Sequence, residues 1–185
     1  MRIQGNTVTL RAMEQEDMPM LLGMMNDPSI EYTMGSGTFP LSRFEQERWY
    51  EMVIGDPRNL RLIIELASGQ SVGLVTLTSI DWKNRVASHG IKISNIADRG
   101  TGTGTDSVMA LMRYAFEELQ LHRLETVWFP DNVPSRKLYL KCGWAEEGVR
   151  RSCAYQRSQY RDMCYASILE PEYRALVAAT CYWDI

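Results

Sequence analysis

Apolar and polar residues alternate over residues 7–13, which predicts a short edge strand. The acidic residues 14–17 favour the start of a helix, which is expected to continue to Met25 and to stop at Asn26-Asp27-Pro28. Ser42 and Glu45 have the spacing of a capping box, so a second helix is predicted from Ser42 to the turn at Gly55-Asp56-Pro57. The chain therefore begins with a strand and two helices.

The middle of the chain has a different pattern. Three β-rich runs at residues 60–66, 71–80 and 85–93 are joined by short polar links, which predicts an antiparallel meander. Over residues 103–119 apolar positions recur at helical spacing, and residues 123–129 have the pattern of a further strand. A strand, a helix and a strand in this order predict a right-handed crossover between two parallel strands.

The remaining residues predict a short helix at 134–141, a closing hairpin of strands 145–155 and 160–169, and a short helix after Pro171. We therefore expect one α/β domain over residues 1–185, with a core at about 7–173 and a tail at 174–185. Its sheet is expected to be mixed, mostly antiparallel, with six to seven strands and flanking helices.

Composition narrows the class of protein. The 185 residues are 45% hydrophobic and 23% charged, as in an ordinary globular domain. The net charge of -3 lacks the basic surplus that favours nucleic acid, and no apolar run has the length of a signal peptide or a membrane span. We expect a cytoplasmic protein with neither a nucleic-acid nor a membrane partner. The wide cysteine spacing and the two histidines, His89 and His122, argue against a metal site.

Three glycines stand at alternate positions where the 103–119 helix is predicted to begin. Gly100, Gly102 and Gly104 lack a Cβ, so the main chain there can approach an anion, and the helix N-terminus favours a diphosphate. A flexible connection with glycine caps is the alternative interpretation. The spacing differs from the Gly-x-Gly-x-x-Gly of dinucleotide folds, and Gly104-Thr105-Asp106 lacks the lysine of a P-loop. Both of those nucleotide sites are excluded.

Two motifs carry a resemblance to a known family. They are Arg99-x-x-Gly102-x-Gly104 and, later, the run Asn132-x-x-Ser-x-x-Leu-Tyr-x-Lys-x-Gly-Trp144. Together they resemble the GCN5-related N-acetyltransferase (GNAT) superfamily, over residues 7 to about 173. The branch that acetylates ribosomal-protein N-termini and spermidine is the most similar.

The resemblance implies a site for acetyl-CoA between two splayed parallel strands, those predicted at residues 85–93 and 123–129. The pantetheine arm would pair with the main chain near Ile91 and Ile93. The diphosphate would lie on a loop that begins at Arg99 and continues through Gly100, Thr101, Gly102, Thr103, Gly104 and Thr105.

The second motif would complete the cofactor site. Asn132 and Ser135 are expected to approach the pantetheine. Three cations, Arg136, Lys137 and Lys141, are alternatives for the ribose phosphate.

Acetyl transfer to an amine must expel a thiolate, and a phenol with a pKa of about 10 can protonate it. Tyr139 is therefore the candidate general acid. The base is open, because the family's Ala-Glu-x-Gly pattern is here Ala87-Ser88-His89-Gly90. A water held by Ser88 is one alternative, and His89, expected on the opposite strand face, is another. An acid from a loop, Glu31 or Asp81, is a third.

The acceptor is expected to contact residues 30–40, a region that helps line the acceptor cleft in this family. Only Glu31 is acidic there, beside Tyr32, and a polyamine would favour several carboxylates. We expect a protein or peptide N-terminus or a small amine. The alternatives are a CoA-binding regulatory module that has lost transfer and a polyamine or aminoglycoside acetyltransferase. The closing hairpin and the tail Cys181-Tyr182-Trp183 offer apolar surface for a homodimer.

Overall fold

The computed structural model describes residues 1–34, 39–95 and 100–184. Within these residues eight strands form one sheet. The strands are β1 (Arg2–Gln4), β2 (Val8–Ala12), β3 (Leu60–Leu66), β4 (Ser71–Asp81), β5 (Val86–Ile93), β6 (Arg123–Trp128), β7 (Ala145–Gln156) and β8 (Gln159–Leu169). Their order is β1-β2-β3-β4-β5-β6-β8-β7. The expected mixed α/β fold is confirmed.

The predicted number of strands was too low, and the expectation that the first predicted strand lies at the edge of the sheet was wrong. The strand expected at residues 7–13 is β2, and it is not at the edge because β1 pairs with it, Ile3 opposite Leu10. β1 has only three residues, which is too short for an alternating pattern to be recognised.

Six α-helices occur in the described ranges. They are α1 (Met18–Met25), α2 (Pro28–Met34), α3 (Arg43–Val53), α4 (Thr103–Arg113), α5 (Val133–Lys141) and α6 (Glu170–Thr180). The capping box that opens α3 is confirmed: Ser42 Oγ accepts from the Glu45 N–H at 3.2 Å, and Glu45 accepts from the Ser42 N–H at 2.8 Å. A short π-helical segment, Tyr114–Glu118, extends α4.

The helix α2 was not predicted from the sequence. Asn26-Asp27-Pro28 ends α1 as predicted, but the same residues begin the next helix. Proline is tolerated in a first helical turn, where its missing N–H has no partner to lose. Asp27 Oδ1 accepts from the Ser29 N–H at 2.8 Å, as a capping side chain does. The segment expected to link two helices therefore contains a helix of its own.

The one parallel pair of the described sheet joins β5 and β6. Three pairs hold them together: Val86 with Arg123, Ala87 with Leu124, and Ser88 with Glu125. Beyond Ser88 the pairing stops in the described part of the chain, although β5 continues to Ile93 and β6 to Trp128. The two strands therefore diverge from this point.

The sheet separates two cores. The larger one contains Ala87, Leu124 and the buried face of α4. The smaller one contains Ile63 and α1 residues, including Met18 and Leu21. Side chains along β5 alternate between these faces. No helix in the described residues is long and apolar enough to span a membrane.

The C-terminal tail packs on its own chain, contrary to its expected role as free apolar surface. The Tyr182 hydroxyl donates to Asp106 Oδ1 at 3.1 Å, and the Trp183 indole N–H donates to the Tyr173 hydroxyl at 3.1 Å. Arg113 lies 4.0 Å from the centre of the Trp183 ring. Both aromatic rings are partly buried against the larger core, and Asn6 Nδ2 donates to the Tyr182 main-chain oxygen at 2.9 Å. The homodimer itself stays a prediction.

Candidate active site

The diverging strands leave one edge of β5 facing the gap between β5 and β6. Ser94 donates its main-chain N–H to Val72 O at 2.9 Å, and the Thr78 hydroxyl reaches Ser88 O at 3.5 Å, so the main chain of both serines points to β4. Main-chain groups of successive strand residues point to opposite edges. Those of Ile91 and Ile93 therefore point toward β6, which is the direction that pairing to an extended ligand requires.

The glycine loop lies at the N-terminus of α4. Gly100 has φ of 77° and Gly102 has φ of 97°, both in the left-handed region that glycine occupies without strain. At either position a Cβ would meet no described protein atom within 4 Å, so this surface of the loop is open. The predicted ligand Arg99 lies outside the described residues.

The remaining loop residues form the first turn of α4, whose N–H groups have no partner within the helix. Thr103 is buried, Thr105 is half-buried, and the hydroxyls of Thr101 and Thr103 are 2.9 Å apart. Gly104 differs from the other two glycines, because a Cβ there would contact Ile93 and Leu138 at 3.5 Å. Its role is packing, while the first two glycines shape an open, anion-compatible helix N-terminus.

Tyr139 of α5 is buried, with 2% of its surface exposed. Its hydroxyl oxygen lies 2.9 Å from His89 Nδ1, and Thr126 also hydrogen-bonds it. The ring is nearly parallel to that of Trp128, with centroids 5.6 Å apart. His89 belongs to β5 and Thr126 to β6, one residue beyond the last pair of those strands. The candidate acid therefore lies where the strands begin to diverge.

Burial sets the protonation states of this pair. It raises the pKa of Tyr139 above its usual value, and the hydrogen bond from Thr126 lowers it by less. Burial also lowers the pKa of His89 to about 3. At neutral pH the phenol keeps its proton and the imidazole is neutral. His89 points away from the face that carries Ser88, which is not the position of a base for an amine on that face.

Two buried polar atoms in this cluster have no hydrogen-bond partner among the described residues. They are His89 Nε2 and the indole Nε1 of Trp128. Leaving such atoms unpaired costs free energy, about 1–3 kcal/mol each. Both rings pack on Tyr139. The cluster is therefore suited to a ligand that brings its own hydrogen-bonding groups.

The opposite face of β5 and β6 presents Ser88 beside Glu125. The two residues are paired in register, and directly paired residues point to the same face of a sheet. Glu125 is half-exposed and accepts from Arg123 Nε at 2.7 Å. The sequence analysis did not include Glu125 in the site, because the register across a helical crossover cannot be read from spacing.

The second motif surrounds the start of α5. Asn132 caps the helix, since its Oδ1 accepts from the Ser135 N–H at 3.2 Å, and its Nδ2 donates to Thr33 O of α2 at 3.3 Å. Among the three candidate cations, Arg136 is ion-paired with Glu146 at 2.6 Å. Lys137 and Lys141 are exposed.

The residues expected near the amine that accepts the acetyl group, Glu31, Tyr32 and Asp81, lie in two places. Glu31 and Tyr32 belong to α2, where Gln156 Nε2 donates to Glu31 Oε1 at 3.2 Å. The guanidinium carbons of Arg157 and Arg161 lie 4.2 and 4.6 Å from the centre of the Tyr32 ring. Residues 35–38 of this segment lie outside the described ranges.

Asp81 is the last residue of β4 and pairs with Val86, at the end of β5 remote from the gap. Its carboxylate accepts from the main-chain N–H groups of Lys83 and Asn84, each at 2.9 Å. These bonds hold its pKa below the usual value. The structure therefore does not bring Asp81 together with Glu31 and Tyr32.

Side chains that could bind a metal ion are not clustered in the described residues. The described ranges contain no group of three or more His, Cys, Asp or Glu side chains arranged to hold a metal ion. The four cysteines, Cys142, Cys153, Cys164 and Cys181, are free thiols.

A splayed parallel pair, a glycine-rich helix N-terminus and a buried tyrosine together define an acetyltransferase fold, and the chain belongs to the acetyltransferase (GNAT) domain family, whose sequence model matches residues 7–145. The resemblance inferred from the two motifs is confirmed. A spermidine N(1)-acetyltransferase of Vibrio cholerae is 28% identical over 171 residues, which cover 91% of this chain and 96% of that protein.

Two further comparisons agree. A crystal structure of spermidine N-acetyltransferase from Vibrio cholerae with CoA and spermine superposes with a TM-score of 0.85 at 27% identity, covering 91% of this chain and 98% of that one. The putative ribosomal N-acetyltransferase YdaF of Bacillus subtilis is 33% identical over 108 residues, 58% of each chain.

Proposed function

We propose that this protein is an acetyl-CoA-dependent N-acetyltransferase that moves the acetyl group directly to a primary amine, with Tyr139 as general acid. The acceptor is a protein or peptide N-terminus or a small amine. The observation that carries the proposal is the position of the buried Tyr139 hydroxyl between His89 of β5 and Thr126 of β6, where those strands diverge.

The residues present fit acetyl-CoA. The edge of β5 at Ile91 and Ile93 would pair with the pantetheine, and the first turn of α4, with Arg99 before it, would hold the diphosphate. The unpartnered indole N–H of Trp128 fits the carbonyl oxygens of an amide-containing arm. Lys141, exposed and unlike Arg136 not engaged with Glu146, is our choice for the ribose phosphate. When bound, acetyl-CoA supplies an activated acyl group with a thiol leaving group.

Tyr139 supports transfer because its hydroxyl stays protonated until it donates the proton to the departing sulfur. Burial favours the neutral phenol, so the hydroxyl is protonated throughout the neutral pH range. A positioned acid of this kind contributes about 10²–10⁴-fold to a rate. Asn132 and Ser135 hold the start of α5, and thereby the position of Tyr139, while leaving the Ser135 side chain directed to the pantetheine.

Removal of a proton from the amine is assigned to the opposite face of the strands. Ser88 orders a water there, and Glu125, paired with it in register, accepts the proton through that water. Glu125 of β6 would thus act as the base in place of the glutamate that the family's pattern has on β5. Glu31 lies on α2 with Tyr32, where both would contact the acceptor.

Charge supports a monoamine acceptor over a polyamine. Glu31 is already engaged by Gln156, and two guanidinium groups, those of Arg157 and Arg161, lie over the neighbouring Tyr32 ring. Like charges at an interface disfavour the wrong partner. A second candidate is spermidine acetylation, which is favoured by the similarity over most of both chains to the Vibrio spermidine enzyme.

An acceptor screen that follows thiol release, with mass spectrometry of products, tests the function. The panel contains peptides with free N-termini, small monoamines, spermidine and an aminoglycoside. We expect kcat/KM for a peptide or monoamine to exceed that for the polycations. Faster acetylation of spermidine or of the aminoglycoside would replace the proposed acceptor, and tight acetyl-CoA binding without any transfer would indicate the regulatory module.

The acid is tested with the best acceptor of that screen. Tyr139→Phe keeps the ring packing and should lower kcat by about 10²-fold or more, since only the proton donor is lost. Tyr160→Phe, an exposed hairpin tyrosine, is the matched control and should change nothing. Full turnover by Tyr139→Phe at saturating acceptor across the pH range would remove Tyr139 from its role.

A further inference from the structure

His89 is in direct contact with the candidate acid, although no role in the proposed function requires it. Its Nδ1 lies 2.9 Å from the Tyr139 hydroxyl oxygen, and 5% of its surface is exposed. Edge-to-face contacts hold the imidazole against Tyr139 and Trp144, with centroids 5.5 and 5.6 Å apart. The ring therefore has one orientation in which Nδ1 faces the phenol.

One proton lies in the hydrogen bond between His89 Nδ1 and the Tyr139 oxygen, and either group can be its donor. If Tyr139 donates to Nδ1, its own proton is committed to His89 and is not directed to the gap between the strands. The imidazole proton is then on Nε2, where it has no acceptor among the described residues.

The other tautomer leaves the phenolic proton available to a ligand in the gap between the strands. With the proton on Nδ1, His89 donates to the Tyr139 oxygen, and the phenolic O–H is left to point at another acceptor. Nε2 is then an acceptor, and no described residue donates to it. Thr126 hydrogen-bonds the same oxygen from β6.

We propose that His89 is a positioning residue for Tyr139, which donates its Nδ1–H to the phenolic oxygen and so directs the phenolic proton to the leaving sulfur. The inference rests on the proposed function. Tyr139 gives its proton to the sulfur as the new N–C bond forms and the C–S bond breaks with its electron pair on sulfur. The phenolate is then held by donors from His89 and Thr126 until water returns a proton. Glu125 releases the amine's proton to water.

His89 itself stays neutral in this scheme. Burial keeps the pKa of the imidazole at about 3, far below the pH of the reaction, so the ring neither gains nor loses a proton. Its contribution is a hydrogen bond that becomes stronger as charge develops on the Tyr139 oxygen.

Two substitutions separate this hydrogen bond from packing. His89→Phe keeps an aromatic ring but has no donor, while in His89→Asn the amide N–H₂ can take the place of Nδ1–H. We expect His89→Phe to lower kcat about tenfold to a hundredfold with KM for both substrates unchanged, and His89→Asn to stay within a few-fold of wild type. In a Tyr139→Phe background, His89→Phe should cause no further loss, because its partner is gone.

The kinetic results can contradict the proposal in two ways. Equal losses from His89→Phe with and without the Tyr139 hydroxyl would indicate packing alone, and so would an unchanged kcat. If the wild-type protein transfers acetyl to no amine, the proposed function fails, and with it this role. Thermal unfolding and acetyl-CoA affinity of each variant establish that the fold and the binding site are retained.

The tautomer is tested without turnover and without variants. His89 and His122 are the only histidines of the chain, so nitrogen-15 labelling of histidine gives two rings in an NMR spectrum. The exposed His122 supplies the reference signal. We expect the His89 proton on Nδ1 in the complex with CoA at neutral pH, where the sulfur can accept the phenolic O–H. A proton on Nε2 would overturn the proposal even if His89→Phe proves unable to fold.

Discussion

In the proposed mechanism, Ser88 and Tyr139 act on opposite faces of one strand pair. Tyr139 is buried on the α4 side, where solvent is excluded and a phenol keeps its proton. Ser88 faces the other side, in register with a carboxylate. The separation matters because the leaving sulfur needs a proton while the amine must lose one. An acid and a base in contact with each other would exchange that proton without helping either step.

Glu125→Gln is expected to lower kcat/KM about tenfold or more at neutral pH, because an alkylammonium has a pKa of about 10 and must be deprotonated before attack. The loss should shrink as the pH rises toward that value, since more of the amine is then already neutral. The pH dependence of kcat/KM measures this, and Ser88→Ala should behave in the same direction.

Glu118→Gln is the matched control, because Glu118 is an exposed carboxylate of the π-helical segment. It should leave the profile unchanged. A deficit in Glu125→Gln that is the same at every pH would mean that the carboxylate shapes the site through Arg123 and does not act as a base.

At the scale of elements, the three glycines at the N-terminus of α4 differ in backbone conformation. Gly100 and Gly102 occupy left-handed backbone, whereas Gly104 lies inside the helix against Ile93 and Leu138. The glycines of the alternating Gly-Thr pattern are therefore not equivalent. The left-handed residues turn the chain so that the first N–H groups of α4 face outward, whereas a Cβ at the helical glycine would make only ordinary contacts with β5 and α5.

Gly102→Ala should destabilise the fold by about 1–2 kcal/mol, because a Cβ disfavours left-handed backbone, and should weaken acetyl-CoA binding several-fold by displacing the first N–H groups. Gly104→Ala is the matched control. Its Cβ would make ordinary contacts in a helix that favours alanine, so stability and binding should be kept. Calorimetric titration with acetyl-CoA and thermal unfolding measure both, and equal effects of the two substitutions would refute the distinction.

At the scale of the whole molecule, Asp106 joins both ends of the chain to α4. Its carboxylate accepts from the main-chain N–H groups of Asn6, Thr7 and Val8 at 2.6 to 2.9 Å, and from the Tyr182 hydroxyl at 3.1 Å. It is 3% exposed. The N-terminal turn, the first turn of α4 and the C-terminal tail therefore share one buried acceptor.

Asp106→Asn replaces one acceptor oxygen with a donor that faces buried N–H groups. We expect a loss of about 2 kcal/mol or more in the free energy of unfolding, and a fall in Tm of roughly 4–8 °C. Asp56→Asn, which changes a similar acceptor in a turn at the surface, should cost much less. A comparable loss in the two variants would mean that the shared acceptor does not couple the ends of the chain.

Local signals account for the parts of the fold that were predicted correctly. The capping box at Ser42, the turns of the meander and the helical spacing of α4 depend on residues a few positions apart. β1 and α2 were missed because each is too short for periodicity, and the proline that ends one helix also begins the next. The number of strands was therefore too low, while the class of fold was right.

The sequence by itself determined the family, and it proposed the glycine-rich loop and Tyr139 as site residues, since each of these is a motif of neighbouring residues. Only the tertiary structure decided that Glu125 lies beside Ser88, that His89 contacts Tyr139, and that Asp106 holds both termini. Each of these contacts joins residues tens of positions apart. Sheet register and burial create them, and neither is encoded in the spacing of the residues concerned.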